Sequence, residues 1–380
     1  MITPALGHEQ AWQDKRWWWL LSPAIPFVFT GSMLAFAWTA QWWCLLLAPM
    51  VIHIILPVLD RVFGEDFSNP PESAVVQLEN DLFYRALVWA YLPLQMSGTV
   101  LGAWIASTQA LPWFGYALLV LTVGAINGIG IGTAHELGHK KEPLDRWLSK
   151  IALAPSAYGH FFVEHNRGHH QRVATPEDPA SARMGESFWA FLPRSVWGGL
   201  KSAWALEQER LHKQGRGVWH LLNHNLQAWG LTLLLFGTLV AWLGWMVLPF
   251  LVLQAAYAVS MLEVVNYVEH YGLLRQRDAS GRYVRCEPEH SWNSNHLVGN
   301  LLLYQLQRHS DHHAHPSRRY QALRHFASAP QLPAGYATMI TVAYLPPLWF
   351  AWMDPRVVAH YGGNMDLVNL QASARAKLTE

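Results

Sequence analysis

Only two cysteines, Cys44 and Cys286, occur in the 380 residues. That excludes a disulfide framework, a CxxC zinc ribbon and a cysteine-ligated iron–sulfur cluster. Charge is scarce as well. Asp, Glu, Lys and Arg together make up 14%, against about 25% in a soluble globular domain. The formal net charge of +1 excludes a strongly basic nucleic-acid binder and an acidic tail protein, so no nucleic-acid partner is expected. What the chain does hold is 52% hydrophobic residues and 21 Trp, the composition of a membrane protein. It also holds 20 His, which suggests a metal. A mean hydropathy of only +0.08 predicts a sizeable polar part beside the spans.

Positive charge is missing in blocks. No Lys or Arg lies in 17–60, 86–139 or 217–274. Each block has room for two spans at about 20 residues per span. The predicted spans are 18–39, 42–59, 86–108, 112–134, 226–245 and 247–267. The turns inside each pair carry no charge, and every Lys and Arg falls in the N-terminus, 60–85, 140–216 or the stretch from Arg275. By the positive-inside rule those segments, and both termini, face the cytoplasm. The expected fold class is an all-α integral membrane protein, one domain over 1–380. Six transmembrane helices carry a cytoplasmic helical cap formed by 135–225 and 268–380. The first apolar run has span length and no small-x-small site, so it reads as a span and not as a cleaved signal peptide. Trp17, Trp18, Trp19, Trp42, Trp43, Trp113 and Trp245 sit near span ends, as anchors at the bilayer interface do. Pro23, Pro26, Pro57 and Pro93 predict kinks within spans. The apolar stretch 335–353 contains Pro346-Pro347 and reads as interfacial or re-entrant.

Four histidine clusters lie at or beyond the predicted cytoplasmic span ends. They are His135-Glu-Leu-Gly-His139, Glu164-His165-Asn-Arg-Gly-His169-His170, Glu269-His270 and His309-Ser-Asp-His312-His313-Ala-His315. Residues three or four apart share one helix face. So His135 can align with His139, His165 with His169, and His309 with His312 and His313. Neutral imidazole is a common metal ligand whose second nitrogen needs an orienting partner. Glu136, Glu164, Glu269 and Asp311 stand beside these histidines as candidates, and His315 is a further one. Nine imidazoles (His135, His139, His165, His169, His170, His270, His309, His312, His313) exceed one ion's four to six ligands and suit two metal ions. The remaining histidines lack such spacing. His53 lies inside a span, where helix packing is the simpler reading.

His135-Glu-Leu-Gly-His139 is also HExxH, the zinc metalloprotease signature. A protease of that kind needs one further ligand, not seven further histidines. A metal transporter would place its ligands near the bilayer midplane, not beyond the span ends. All-nitrogen ligation suits iron and copper as well as zinc. Membrane fatty acid desaturases carry comparable boxes, HxxxH and two HxxHH, whereas the second box here has three intervening residues.

The strings His135-Glu-Leu-Gly-His-Lys-Lys141, Glu164-His-Asn-Arg-Gly-His-His170, Asn266-Tyr-Val-Glu-His-Tyr-Gly-Leu273 and Leu306-Gln-Arg-His-Ser-Asp-His-His-Ala-His-Pro316 resemble the signatures of the integral-membrane alkane 1-monooxygenases. So do Phe63-Gly-Glu-Asp66 with Asn69-Pro-Pro71, Ala174-Thr-Pro-Glu-Asp-Pro179, Arg183-Met-Gly-Glu-Ser187 and His290-Ser-Trp-Asn-Ser-Asn-His296. The resemblance covers about residues 17–360. It implies a non-haem di-iron enzyme in the bacterial cytoplasmic (inner) membrane. It further implies hydroxylation of the terminal methyl of medium- or long-chain n-alkanes with O2 and two electrons. The electrons would come from rubredoxin, itself reduced by an NAD(P)H-dependent rubredoxin reductase. The nine histidines above are the iron ligands it implies; their division between two irons does not follow from the sequence. A xylene-type or desaturase-like oxygenase is the alternative within the same chemistry. An alkane chain is expected in an apolar tunnel among the spans, with Ile52 and Ile55 on the second span as candidate wall residues. With no CxxC pair in the chain, the electron donor is expected to be a separate polypeptide or a segment outside this sequence. The Arg-rich segments Arg275–Arg285 and Arg308–Arg324 could steer an acidic partner or face lipid headgroups.

Overall fold

The computed structural model describes residues 12–371. These residues are helical, with isolated β-bridges and no β-strand. Along the chain run α1 (Arg16–Thr39), α2 (Trp42–Phe63), α3 (Leu82–Thr108), α4 (Trp113–Gly138), α5 (Pro143–Leu153), α6 (a helical run over 161–172), α7 (Phe188–His212), α8 (His224–Leu243) and α9 (Trp245–His270). After them come α10 (Leu297–Leu302), α11 (His309–Ala314), α12 (Tyr336–Ala343) and α13 (Pro346–His360).

Among the described residues α1, α2, α4, α8 and α9 are long and apolar enough to cross a bilayer, as expected of a membrane protein. The element over predicted span 86–108, α3, has 27 residues, which is ample at about 1.5 Å per residue. It is less apolar than the other five because it buries Tyr84, Tyr91, Gln95 and Thr99. The predicted spans 112–134 and 247–267 run on to Gly138 and His270. The first and third histidine clusters therefore begin on the last turns of α4 and α9, not in loops beyond them. The stretch 335–353 is broken at Tyr344 and Leu345 into α12 and α13, with Pro346-Pro347 opening α13.

α4 and α9 form the central pair. Small residues let the two backbones approach closely. A Cβ on Gly124 would lie 2.8 Å from the Gln254 carbonyl oxygen, and one on Gly128 would lie 2.9 Å from Met261 Cβ. A buried amide network ties this pair to α3. Gln95 donates to Asn127 at 3.1 Å, and Asn127 donates to Gln254 at 2.7 Å. Gln95 and Gln254 also donate to the carbonyls of Ala152 (2.9 Å) and Pro155 (2.7 Å), anchoring the end of α5 and the turn after it. Such intramembrane hydrogen bonds contribute about 0.6 kcal/mol each on average, so their main effect is to fix the geometry of α3, α4 and α9.

α2 contains one π-helical turn, Val51–Ile55. Pro57 follows it. Proline has no N–H and crowds the carbonyl four residues back, and a widened turn relieves that clash. His53 inside this turn bonds Thr341 Oγ1 at 2.8 Å, in keeping with a packing role. Trp17, Trp18, Trp43, Trp113 and Trp245 are exposed, as anchors should be. Trp19 departs from that expectation. It is buried, edge-on to Tyr320 at 5.0 Å between ring centroids.

Candidate metal centre

His135 and His139 close α4 one turn apart, with ring centroids 5.0 Å from each other. His270 is the last residue of α9, and α11 presents His309, His312 and His313. The second cluster behaves differently from an α-helix. Residues Glu164–His169 form a π-helical turn, whose hydrogen bonds run from i to i+5. That register aligns His165 with His170, not with His169 as the i, i+4 rule had suggested.

The result is two groups. Nitrogens of His135, His139, His165, His170 and His312 lie within 4.8 Å of one another. Nitrogens of His169, His270, His309 and His313 do the same. The π turn sends its neighbours His169 and His170 to different groups, and α11 does likewise with His312 and His313. The groups abut, with the rings of His170 and His313 4.3 Å apart.

Within each group Nε2 atoms converge. His170 Nε2 is 3.0 Å from His165 Nε2 and 3.1 Å from His312 Nε2. His309 Nε2 is 3.2 Å from His270 Nε2 and 2.8 Å from His313 Nε2. Metal–nitrogen bonds of about 2.0–2.1 Å at tetrahedral or octahedral angles would set ligand nitrogens about 2.8–3.4 Å apart, so the spacing fits. Buried Nε2 atoms of His135, His139 and His169 have no hydrogen-bond partner. An orphaned buried polar atom is costly, and a shared cation removes that cost. Burial pushes the imidazoles of His165, His170, His309, His312 and His313 well below their ordinary pKa. They are neutral near pH 7, each with a lone pair free to bind metal.

The orienting groups differ from those suggested by adjacency. Glu136 pairs with Lys140 at 2.9 Å and Glu164 with Arg172 at 2.7 Å. Asp311 holds Arg318 (2.6 Å), the Arg324 backbone N–H (2.9 Å) and His315 (2.9 Å). None of those three carboxylates bonds a histidine of the two groups, and His315 faces Asp311 instead. Glu269 does approach the site. One oxygen lies 3.1 Å from His309 Nε2, and the other accepts from the Tyr336 hydroxyl at 2.8 Å. Asp178, which no histidine spacing points to, bonds His169 Nδ1 at 2.9 Å and accepts from Ser181 Oγ at 2.6 Å. Burial opposes its ionisation, but His169 and Ser181 together hold its carboxyl below the ordinary value. The only signal for it was its place in the string Ala174–Pro179.

The other strings brace the clusters. Tyr267 donates to the Glu186 carbonyl at 2.6 Å, and the Tyr271 hydroxyl accepts from Gly185 N–H at 2.8 Å, joining 266–273 to 183–187. Asn293 accepts from Ser310 N–H at 2.9 Å, while Trp292 N–H donates to the Glu269 carbonyl at 2.8 Å. These bonds tie α11 to the end of α9. Arg308 is buried and donates to the carbonyls of Asp66 (2.7 Å), Ser68 (3.1 Å) and Leu323 (2.9 Å). It is therefore a brace for the fourth cluster and not a steering charge.

Two apolar cavities lie among the helices. One, of about 50 Å³, is lined by Gly128, Gly132, Met261, Val265, Leu306 and Ile340 among others. Gly132 and Val265 are about one helical turn before His135 and Glu269, and Leu306 is three residues before His309, so this cavity lies about one turn short of the histidine-bearing ends of α4 and α9. The other, of about 380 Å³, lies between α1, α2 and α10 and has Ile55 on its wall. Leu302 lines the larger cavity and its neighbour Leu303 the smaller one. Ile52 lines neither and is packed in the core with Ile25, Phe29 and Leu302.

An all-helical membrane protein with two buried histidine groups belongs to a recognisable class. A family model described as fatty acid desaturase matches residues 111–343. The alkane 1-monooxygenase of Acinetobacter baylyi is 47% identical over 96% of this chain and 90% of its own length. That of Pseudomonas putida is 45% identical over the same shares. A Pseudomonas putida xylene/toluene monooxygenase hydroxylase component is 28% identical over 68% of this chain and 63% of its own length. Within the desaturase class, this chain belongs to the alkane 1-monooxygenase family.

Proposed function

We propose that this protein hydroxylates the terminal methyl of medium- and long-chain n-alkanes to 1-alkanols, consuming O2 and two electrons. The observation that carries the reading is the pairing of two histidine groups with an apolar cavity about one helical turn away along α4 and α9. Relatives 47% and 45% identical to this chain bear the corresponding name. The donor set of nine histidines suits two iron ions, five ligands for one and four for the other. When bound, such irons supply the O2-reducing chemistry.

The chain's own residues do the rest. Asp178 fixes the ring and tautomer of His169. The cavities bury hydrocarbon at about 0.8 kcal/mol per CH2. The chamber beside Gly132 and Val265 is narrow, so it admits a chain end and presents the methyl carbon to the centre. Regioselectivity then comes from positioning, even though the terminal C–H bond is the stronger one.

We take α3 as a sixth span. The charge blocks put both termini and the histidine groups on the cytoplasmic side of the bacterial inner membrane. The protein then forms one membrane-enzyme domain, with 135–225 and 268–380 capping the spans. Rubredoxin is the donor the family membership favours, itself reduced by its NAD(P)H-dependent reductase. It would dock on the cytoplasmic face. Arg308, Arg318, Arg319 and Arg324 are engaged with carbonyls or carboxylates within the protein, as are Arg275 and Arg277, which leaves the exposed Arg282 and Arg285 of the 275–285 segment as the better candidates for steering it.

Product analysis tests the reading. Iron-loaded protein, supplied with rubredoxin, its reductase, 18O2 and alkanes of graded length, should yield 1-alkanols bearing the label. Secondary alcohols, or no product from any alkane at full iron loading, would overturn it.

A further inference from the structure

Beside the centre lies a second small cavity of about 20 Å³, whose wall mixes Phe161 and Pro179 with polar side chains. It has room for about one water. His165 and His169 both line it, so it touches one histidine from each group. Besides His169 Nε2, which belongs to the four-histidine group, three buried polar atoms of its lining residues have no hydrogen-bond partner: Glu263 Oε2, Glu164 Oε2 and His160 Nε2.

Glu263 stands out among the three. It lies on α9 two turns before His270 and is 2% exposed. Its Oε1 accepts from the Tyr158 hydroxyl at 2.8 Å and from Asn266 at 3.3 Å. All of these donors are neutral. A lone carboxylate in such surroundings is costly, whereas a carboxylic acid with its O–H directed into the cavity is not. Glu164, by contrast, is neutralised by Arg172. Glu269, the other buried acid near the centre, has one oxygen accepting from Tyr336 and the other 3.1 Å from His309 Nε2 within the histidine group, and it does not line this cavity.

The proposed reaction needs protons. In R–CH3 + O2 + 2 e⁻ + 2 H⁺ → R–CH2OH + H2O, one C–H bond and the O–O bond break and a C–O bond forms. One oxygen enters the alcohol. The other leaves as water with the two protons. The electrons come from the reduced one-electron carrier and the protons from bulk solvent. The apolar chamber offers no route for them, since Tyr304 is its one polar side chain and directs its hydroxyl to the Leu87 carbonyl.

We infer that Glu263 is the proton-positioning residue of this enzyme, passing solvent protons through a water in the cavity lined by His165 and His169. This rests on the oxygenase reading above. Glu263→Gln keeps the size and the acceptor for Tyr158 but cannot carry the proton, and Glu263→Asp restores it. In the metal-free protein, infrared difference spectra in H2O and D2O should show a carboxylic-acid band that Glu263→Gln removes. In the iron-loaded protein the same variant, at unchanged iron content and Tm, should form alkanol roughly 10²-fold more slowly. Its electrons should go to hydrogen peroxide and its solvent isotope effect should change, with Glu263→Asp recovering most of the rate. Absence of the infrared band in the wild type would overturn the inference. So would alkanol formed by Glu263→Gln at the wild-type rate and coupling, an outcome that leaves the oxygenase reading intact. A wild type that forms no alkanol removes both.

Discussion

Asp178 and Glu136 show how little adjacency in sequence says about contact. Neighbours on a helix point about 100° apart, so a carboxylate next to a ligand-type histidine faces elsewhere. Glu136, Glu164 and Asp311 each found a cation instead. Asp178 comes from a loop nine residues after His169 and reaches its Nδ1. Asp178→Asn removes the anionic partner, so iron in the four-histidine group should bind roughly 10- to 100-fold more weakly. Chelator titration with iron counted per chain checks this, and unchanged retention would contradict it. Gly132 has open space where a Cβ would stand. Gly132→Leu should therefore fold and fill the chamber, cutting kcat/KM for long alkanes at unchanged iron content. Ile55→Trp should shift the chain-length profile, because Ile55 lines the larger cavity. Ile52→Trp should instead overpack the core, at about 1–3 kcal/mol. A thermal melt beside product profiles separates the two.

Among elements, the long apolar helices and their pairing were legible because Lys and Arg are absent from 17–60, 86–139 and 217–274. Their ends were not. Helical backbone continues through His135 and through His270, since these histidines are buried and the turn that holds them is part of the site. The membership of the nine histidines was legible from spacing and resemblance together, but their division was not. An i, i+4 pattern assumes an α-helix, and the π turn over Glu164–His169 changes the partner of His165 by one residue. Nothing in the local composition announces that turn. Its stabilising contacts are distant: Arg172 reaches Glu164 and Ser202, and Arg167 reaches Glu207 on α7. Gly168 lies inside it, and a Cβ there would collide with the Glu164 carboxylate and stand 2.5 Å from Arg172 Nη2. Gly168→Ala should break the Arg172–Glu164 pair and rotate the turn. Both groups should then lose iron, because the turn feeds both. Loss from one group only, read by metal analysis and Mössbauer spectroscopy, would contradict this account of the turn.

Across the molecule, scarce charge and abundant histidine describe one arrangement. Apolar helices hold two apolar cavities, and the ends of α4 and α9, with α6 and α11, form a shell of buried imidazoles. That shell makes the metal-free protein sensitive to acid. Burial depresses the pKa of His165, His170, His309, His312 and His313. Their neutral forms are favoured by folding, so this stability is present above the unfolded value of about 6.5 and is lost as pH falls below it. Each such histidine contributes a slope of up to about 1.4 kcal/mol per pH unit. The Tm of metal-free protein should drop markedly between about pH 7.5 and about pH 5.5; a flat profile would contradict the burial of neutral imidazoles. The most direct measurement for the central claim is the metal content of the purified protein. Two iron ions per chain, falling to about one when the His169–His270–His309–His313 group is disabled by His309→Ala, is the result expected. One zinc ion per chain, lost with His135→Ala and indifferent to His309→Ala, would contradict it.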